Sequence, residues 1–350
     1  MTRCGYSRLQ SEPNVYSQHS SEVFLLLAIY VDDILLLSNS VTALQTTKGE
    51  LHDAFSMSDL GPLQYCLGIQ VLNDPTTGTI SLSQSSYIDS LLHTFHMDSC
   101  KGVRTPLPAS LKSNPATSST DVSTDFPFAQ ILGSIHYLVT CTRPDICFAA
   151  NYLSRFMQNP QAQHIHLLKR LLRYLKKTQH YPLTYRTQPE VSHWTLYGYS
   201  DADWGGDHVT MQSTSGYVYL LAGVAVAWQN KKQDRVTLSS TEAEYVAMTL
   251  ALKEGLWLNT LLEETKLVPS QPLLLHCDNL SSIILAKNLK HSEKTKHIAL
   301  KLQFIREMVQ DGKAELVHVT TQYQWADFLT KSLPKAKHLE CCAQVGLNPT

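Results

Sequence analysis

No CxxC pair occurs among the eight cysteines of this 350-residue chain, and Cys4, Cys66, Cys100, Cys141, Cys147, Cys277, Cys341 and Cys342 follow no regular spacing. That excludes a disulfide scaffold or a zinc module and fits free thiols in a reducing compartment. Long apolar runs are also missing. The one that ends at Val31 is too short to span a bilayer and is cut by two aspartates, and nothing upstream reads as a signal-peptide cleavage site. The expectation is an intracellular protein with no membrane partner. Neither sign of charge is in excess, with 29 Lys and Arg against 30 Asp and Glu. Any surface for a polyanion must therefore be a local patch. What the chain does have is apolar content, 43% of its residues, enough for two or three domains with ample cores.

The stretch YVDDILLL, residues 30–37, sets Asp32 and Asp33 between apolar runs at 23–31 and 34–37. Acids among apolar flanks are costly unless compensated. A hairpin resolves this: two strands enter a core, and the turn presents both carboxylates, which could hold divalent cations. The plain alternative is a tight turn that uses Asp for its turn chemistry. Beyond it, periodicity predicts a helix over 42–55, a strand over 65–71 after the Gly61-Pro62 breaker, a turn at 74–78, a return strand over 79–83 and a helix over 87–95. Residues 106–127 are rich in Ser, Thr and Pro and read as a linker or long surface loop.

Helices follow over 128–141, 146–157 and 161–177, the first two separated by the breaker Thr142-Arg143-Pro144-Asp145. The last has an apolar stripe of Ile165, Leu168, Leu172 and Leu175. On another face stand Lys169, Arg170, Arg173, Lys176 and Lys177 with no acid among them. Such a face is either simply solvated or tracks the phosphates of a duplex.

From residue 191 the pattern becomes an α/β unit. It comprises a strand over 195–200 ending at Asp201, a hairpin of 217–221 and 224–228 joined at Ala222-Gly223, and a third strand over 235–238. A helix over 241–264 follows, entered through a capping box of Ser239 with Glu242 or of Thr241 with Glu244. Then come a strand over 273–277 ending at Asp278, helices over 281–288 and 293–311, a strand over 314–319 and a last helix opening at 325–327. Residues 335–350 read as a loosely ordered tail.

Four acids stand out by placement. Asp201 and Asp278 close strands, where open α/β sheets put their sites. Glu244 shares an inward face with Ala247, Met248 and Ala251, and Asp327 starts a helix at the positive end of its dipole. Singly, each reads as a cap or loop residue. Together, four acids in the order D, E, D, D on strand, helix, strand, helix repel one another and call for cations. Two metal ions there would clamp the attacking and leaving oxygens of a phosphodiester hydrolysis. Lys290, His291, Lys294, Lys296 and His297, opposed by Glu293, offer a local basic surface. His318 either assists proton transfer or product release or is an ordinary surface histidine.

The blocks YVDDILLL, DLGPLQYCLGIQV, TRPDICFAANYLSRFM, KRLLRYLKKT, GYSDADW, STSGYVYL, LSSTEAEYVA, CDNLSSI, KTKHI and ADFLTKSLP occur in this order. The series closely resembles the C-terminal part of the Pol polyprotein of copia-type LTR retrotransposons, reverse transcriptase followed by ribonuclease H, over roughly residues 5–334. The resemblance implies a mixed α/β and α+β architecture. Residues 1–62 would be the remnant of a truncated polymerase palm, 63–190 thumb and connection, 191–334 a ribonuclease H-like mixed-sheet domain and 335–350 the tail. It implies Asp32 and Asp33 as metal-binding aspartates of the palm, and Asp201, Glu244, Asp278 and Asp327 as catalytic metal ligands of the nuclease. Asp203 and Glu242 are set aside, because Tyr-Ser-Asp matches the family's first strand and Glu244 lies deeper in its helix. Also implied are Mg²⁺ or Mn²⁺ as cofactor, an RNA–DNA hybrid and template-primer as partners, and the remainder of Pol or a second Pol chain. The location would be the cytoplasm, in a virus-like particle, or the nucleus. Departures are visible. No aspartate precedes Asp32, so RNA-directed DNA polymerase activity is expected to be lost from this chain. Ala299 stands where an acid usually follows KHI, Gln303 replaces a frequent histidine, and TTQYQW departs from a TEDQL-like run. The alternative is an inactive, degenerate remnant with at most nucleic-acid binding.

Overall fold

The computed structural model describes residues 5–20, 22–111, 126–187, 194–287 and 299–348. The chain divides into two units, Met1–Leu63 with Leu256–Gln271, and Gln64–Gly255 with Pro272–Thr350. In the first, strands Ser7–Arg8 (β1), Val15–His19 (β2), Phe24–Tyr30 (β3) and Asp33–Ser38 (β4) form an antiparallel sheet in that order. Alternation along β3 turns Leu25 and Leu27 inward, where they pack with Tyr6 and with Leu51 of helix Val41–Ala54 (α1). The hydroxyl of Ser40 caps α1 by accepting from the Ala43 N–H at 3.2 Å. Pairing of Tyr30 with Asp33 leaves a two-residue turn, Val31 and Asp32. Val31 takes a left-handed φ of 52°, a strained choice for a β-branched residue. Glu264, in the 256–271 segment, accepts from the N–H groups of Gln10 and Ser11 and from the Ser11 hydroxyl, at 2.9, 3.1 and 2.8 Å.

The second unit begins with Tyr65–Cys66 (β5), Ile69–Asp74 (β6), Thr79–Ser83 (β7) and helix Ser85–Thr94 (α2). Helices Phe128–Cys141 (α3), Cys147–Ser154 (α4) and Ala162–Lys177 (α5) follow, and Leu183–Arg186 (β8) returns to close a four-stranded sheet, β5-β6-β7-β8. Next come Tyr197–Asp203 (β9), Thr214–Leu221 (β10) and Val224–Lys232 (β11). Helix Ser240–Glu264 (α6) has its residues 256–264 in the first unit. The chain then forms Leu273–Cys277 (β12), Leu280–Lys287 (α7), Ala299–Gln310 (α8), Ala314–His318 (β13), Asp327–Thr330 (α9) and Lys335–Gln344 (α10).

The large sheet has the order β11-β10-β9-β12-β13, antiparallel over its first three strands and parallel over β9, β12 and β13. Three antiparallel strands are thus extended by two parallel ones into a single mixed sheet. Ala222 and Gly223 both lie at positive φ (54° and 77°), the geometry a two-residue hairpin requires. Tyr219 faces α6 and donates its hydroxyl to the Ala251 carbonyl at 2.8 Å. A Cβ at Gly198 would sit 2.4 Å from that ring, so the missing side chain is what admits it. Val218 and Leu220, on the other face of β10, join a core with Leu132, Ile135, Leu138, Leu153 and Leu171 of the α3–α5 helices.

That shared core corrects the expected boundary at 191. The Trp228 indole donates to the Val139 carbonyl at 2.8 Å, Asn151 donates to the Asn230 carbonyl at 3.0 Å, and the Tyr185 hydroxyl donates to the Ala225 carbonyl at 2.8 Å. Outside the 256–271 segment, residues 194–334 thus share one compact unit and one core with the helices before them. The tail is not loose either: in α10 and just beyond it, His338, Cys341, Cys342, Val345 and Leu347 are all buried. Residues 235–238 form no strand. Their β-propensity gives way to the cap of α6, in which Glu242 accepts from the Leu238 N–H at 2.7 Å and Ser239 from the Glu242 N–H at 3.1 Å. Of the helix expected over 293–311, the part before 299 lies outside the described residues.

The Thr142–Asp145 breaker is also more than a breaker. Arg143 grips Asp145 with two hydrogen bonds, at 2.9 and 2.7 Å, in full burial, and reaches the Thr178 hydroxyl and carbonyl at 2.6 and 3.2 Å. Tyr174 donates to Asp145 at 2.6 Å and lies 3.0 Å from His338 Nε2. The pair therefore ties α5 to α10. Among the described residues, no helix is long and apolar enough to cross a membrane.

Candidate metal centre

Parallel pairing sets the site. β12 pairs with β9 through His276 and Tyr199, so continuing the register past the strand end brings Asp278 beside Asp201. Glu244 lies in the second turn of α6, and its side chain meets both. Carboxylate oxygens of Asp201, Glu244 and Asp278 all lie within 4.8 Å of one another. Asp201 and Glu244 are buried and Asp278 half-buried, with Asp278 accepting from the Thr321 hydroxyl at 2.9 Å.

Burial pushes the Asp201 carboxyl up to about 7, with the neighbouring Lys331 opposing and Asp327 adding to the rise. Burial, then the charges of Asp201 and Asp278, push Glu244 well above the carboxylate range. One Glu244 oxygen, Oε2, is buried with no hydrogen-bond donor. A buried acceptor without a donor, beside two further carboxylates, is the donor set of a small, hard divalent cation. These residues fit such an ion.

Asp327 opens α9 and is buried, but it is not one of the three clustered acids. Lys331 stands between: its Nζ lies 2.7 Å from Asp327 Oδ1 and 4.0 Å from Asp201 Oδ2. The Thr330 hydroxyl donates to Asp201 Oδ2. Neither Thr330 nor Lys331 is singled out by reading the sequence, although Asp327 and Lys331 have the i, i+4 spacing of a helical ion pair. Glu242 is taken up by its cap, and Asp203 is half-buried and outside the cluster. His318 ends β13 beside Cys277, exposed.

The other expected site residues fare differently. Asp32 and Asp33 are exposed at their turn, and among the described residues no third acid joins them in a cluster. On α5, three cations are engaged by their own chain. Lys169 lies 5.2 Å over the Phe126 ring, Arg170 donates to the Thr105 hydroxyl at 2.8 Å, and Arg173 donates to the Lys101 carbonyl at 2.7 Å. Lys176 is half-buried and Lys177 exposed. Lys290, His291, Lys294, Lys296 and His297 lie outside the described residues. A second group with ligand-like spacing, Asp145, His338 and Cys342, is already neutralised by Arg143 and saturated by Tyr174, so it is structural.

The family of reverse transcriptases (RNA-dependent DNA polymerases) matches residues 1–109. Over 349 residues, 98% of this chain and 26% of the relative, the sequence is 37% identical to the retrovirus-related Pol polyprotein from transposon TNT 1-94 of Nicotiana tabacum. It is 33% identical over 257 residues to a Saccharomyces cerevisiae protein named for transposon Ty5-1, covering 73% of this chain and 81% of that one. Among solved structures, a ribonuclease H1 isolated from compost by a metagenomic approach is 16% identical with a TM-score of 0.32, covering 39% of this chain and 92% of that one. The chain spans about a quarter of the length of the full Pol relatives it matches. With a reverse-transcriptase match at its start, 37% identity to a transposon Pol polyprotein along nearly its whole length and 33% identity across four-fifths of the Ty5-1 protein, the chain belongs to the copia-type Pol polyprotein family of LTR retrotransposons.

Proposed function

We propose that the second unit hydrolyses the RNA strand of an RNA–DNA hybrid at a divalent-metal centre held by Asp201, Glu244 and Asp278, with Asp327 at its edge. The observation that carries this reading is the buried trio whose oxygens converge within 4.8 Å while Glu244 Oε2 has no donor. Membership of the Pol family supports a hybrid as substrate, recognised by duplex shape and 2′-hydroxyl contacts. Mg²⁺ or Mn²⁺ bound there would supply charge neutralisation at the phosphodiester and a water of lowered pKa. The protein's part is to hold the carboxylates. Thr330 orients Asp201, Thr321 orients Asp278, and the rigid start of α6 fixes Glu244. Asp32 and Asp33 take no part in this step.

The test is cleavage of a labelled hybrid by the full chain in Mg²⁺. RNA is expected to be cut in the hybrid and left intact in the single strand. Asp201→Asn or Glu244→Gln should lower the rate by at least about a hundredfold, since even the groups behind a metal ligand are worth 10–100-fold. Folded wild-type protein that cuts no faster than Asp201→Asn would sink the nuclease reading and leave the inactive remnant.

A further inference from the structure

We propose that Lys331 is a resident counter-cation of the carboxylate centre, holding Asp327 apart from the other three acids until a divalent ion displaces it. The inference rests on the reading of the cluster as a metal centre. One ammonium group touches acids on two elements, 2.7 Å from Asp327 Oδ1 on α9 and 4.0 Å from Asp201 Oδ2 on β9. Among the described residues, no other Lys, Arg or His is ion-paired with Asp201, Glu244, Asp278 or Asp327. The Lys331 side chain is 37% exposed, whereas those of Asp201 and Asp327 are 4% and 6% exposed, so the charge enters from the rim on a flexible stem. Asp327 is also the one acid of the four missing from the converged set.

A single positive charge cannot balance these acids, and a divalent ion at the same oxygens brings two. Like charges at this range repel strongly even at an effective dielectric of about 20, so the ion and the ammonium compete. Lys331 has solvent to swing into, which frees Asp327 to turn toward the cluster. Lys331 is thus a positioning residue that sets how much metal is needed.

Calorimetric titration of Mn²⁺ into the full chain at pH 8, without nucleic acid, separates the outcomes. Lys331→Met and Lys331→Gln are expected to bind Mn²⁺ roughly tenfold more tightly than wild type, and Lys331→Arg to bind like wild type. Metal-free, the two uncharged variants should melt below wild type, and saturating Mn²⁺ should close that gap. Two variants are used so that a folding failure in one leaves the other to decide. Unchanged or weaker binding in an uncharged variant that keeps the wild-type circular dichroism overturns the proposal and leaves the metal centre standing. No Mn²⁺ binding by wild type overturns the metal centre itself, and the proposal with it.

Discussion

At position 338 a histidine on the buried face of α10 is sealed beside Tyr174 and Cys342, and burial pushes its imidazole down to about 4. The unfolded chain keeps the ordinary value near 6.5, so it takes up the proton first as pH falls. Stability from this residue is therefore fully present above about 6.5, is lost between about 6.5 and about 4, and levels off below. The loss is at most about 3 kcal/mol. Asp201 and Glu244, raised in the fold, act in the opposite sense over the same range, so the comparison is between proteins: from pH 7 to pH 4 the urea midpoint of wild type should drop relative to that of His338→Gln, and parallel midpoints would refute the assignment. Single residues were legible where local pattern decides. Asp201 was set apart from Asp203 by the Tyr-Ser-Asp ending of its strand, and Glu244 from Glu242 by its deeper place in the helix, whereas which of the two glutamates caps α6 shows only in the structure. Thr330 and Lys331 were not legible, because their roles exist only opposite Asp201, far away in the sequence. The same holds for Arg143 and Asp145: Pro144 does break the helix, but the ion pair around it becomes visible only with Tyr174 and His338 in place.

Among the elements, α10 carries the clearest consequence. A chain ending at Pro334 loses Cys341, Cys342, Val345 and Leu347 from the core and leaves Tyr174 without His338. Each Val or Leu so removed forfeits about 1.5–3 kcal/mol of burial, against a total stability of about 5–15 kcal/mol for a typical domain. Such a truncation should melt without cooperativity, as should residues 191–334 alone. Calorimetry decides it, and a cooperative transition within a few degrees of the full chain would mean that α10 is dispensable. Strands and long helices were readable from their alternation and periodicity. The tail was not, since its inward stripe uses His and Cys in a polar stretch, and RVTL at 235–238 looked like a strand because nothing local shows that the Leu238 N–H is taken by Glu242.

For the whole molecule, the division into two units separates two sets of acids. Asp32 and Asp33 belong to one, and the converged carboxylates to the other. Asp32→Asn with Asp33→Asn should leave hybrid cleavage within about twofold of wild type, as expected for sites that share no partner. A parallel rate assay on the double variant checks this, and a loss comparable to that of Asp201→Asn would contradict it. Within the second unit no such independence exists. The Trp228 indole ends on a carbonyl of α3, and Asn151 of α4 ends on a carbonyl of β11. Breathing of the native state must respect these ties. β11 cannot lift from its neighbours without drawing the helices with it, so the sheet edge and the helical layer open to solvent hydrogen exchange as one foldon, and a lesion in α3 or α4 is felt in the sheet that carries the site.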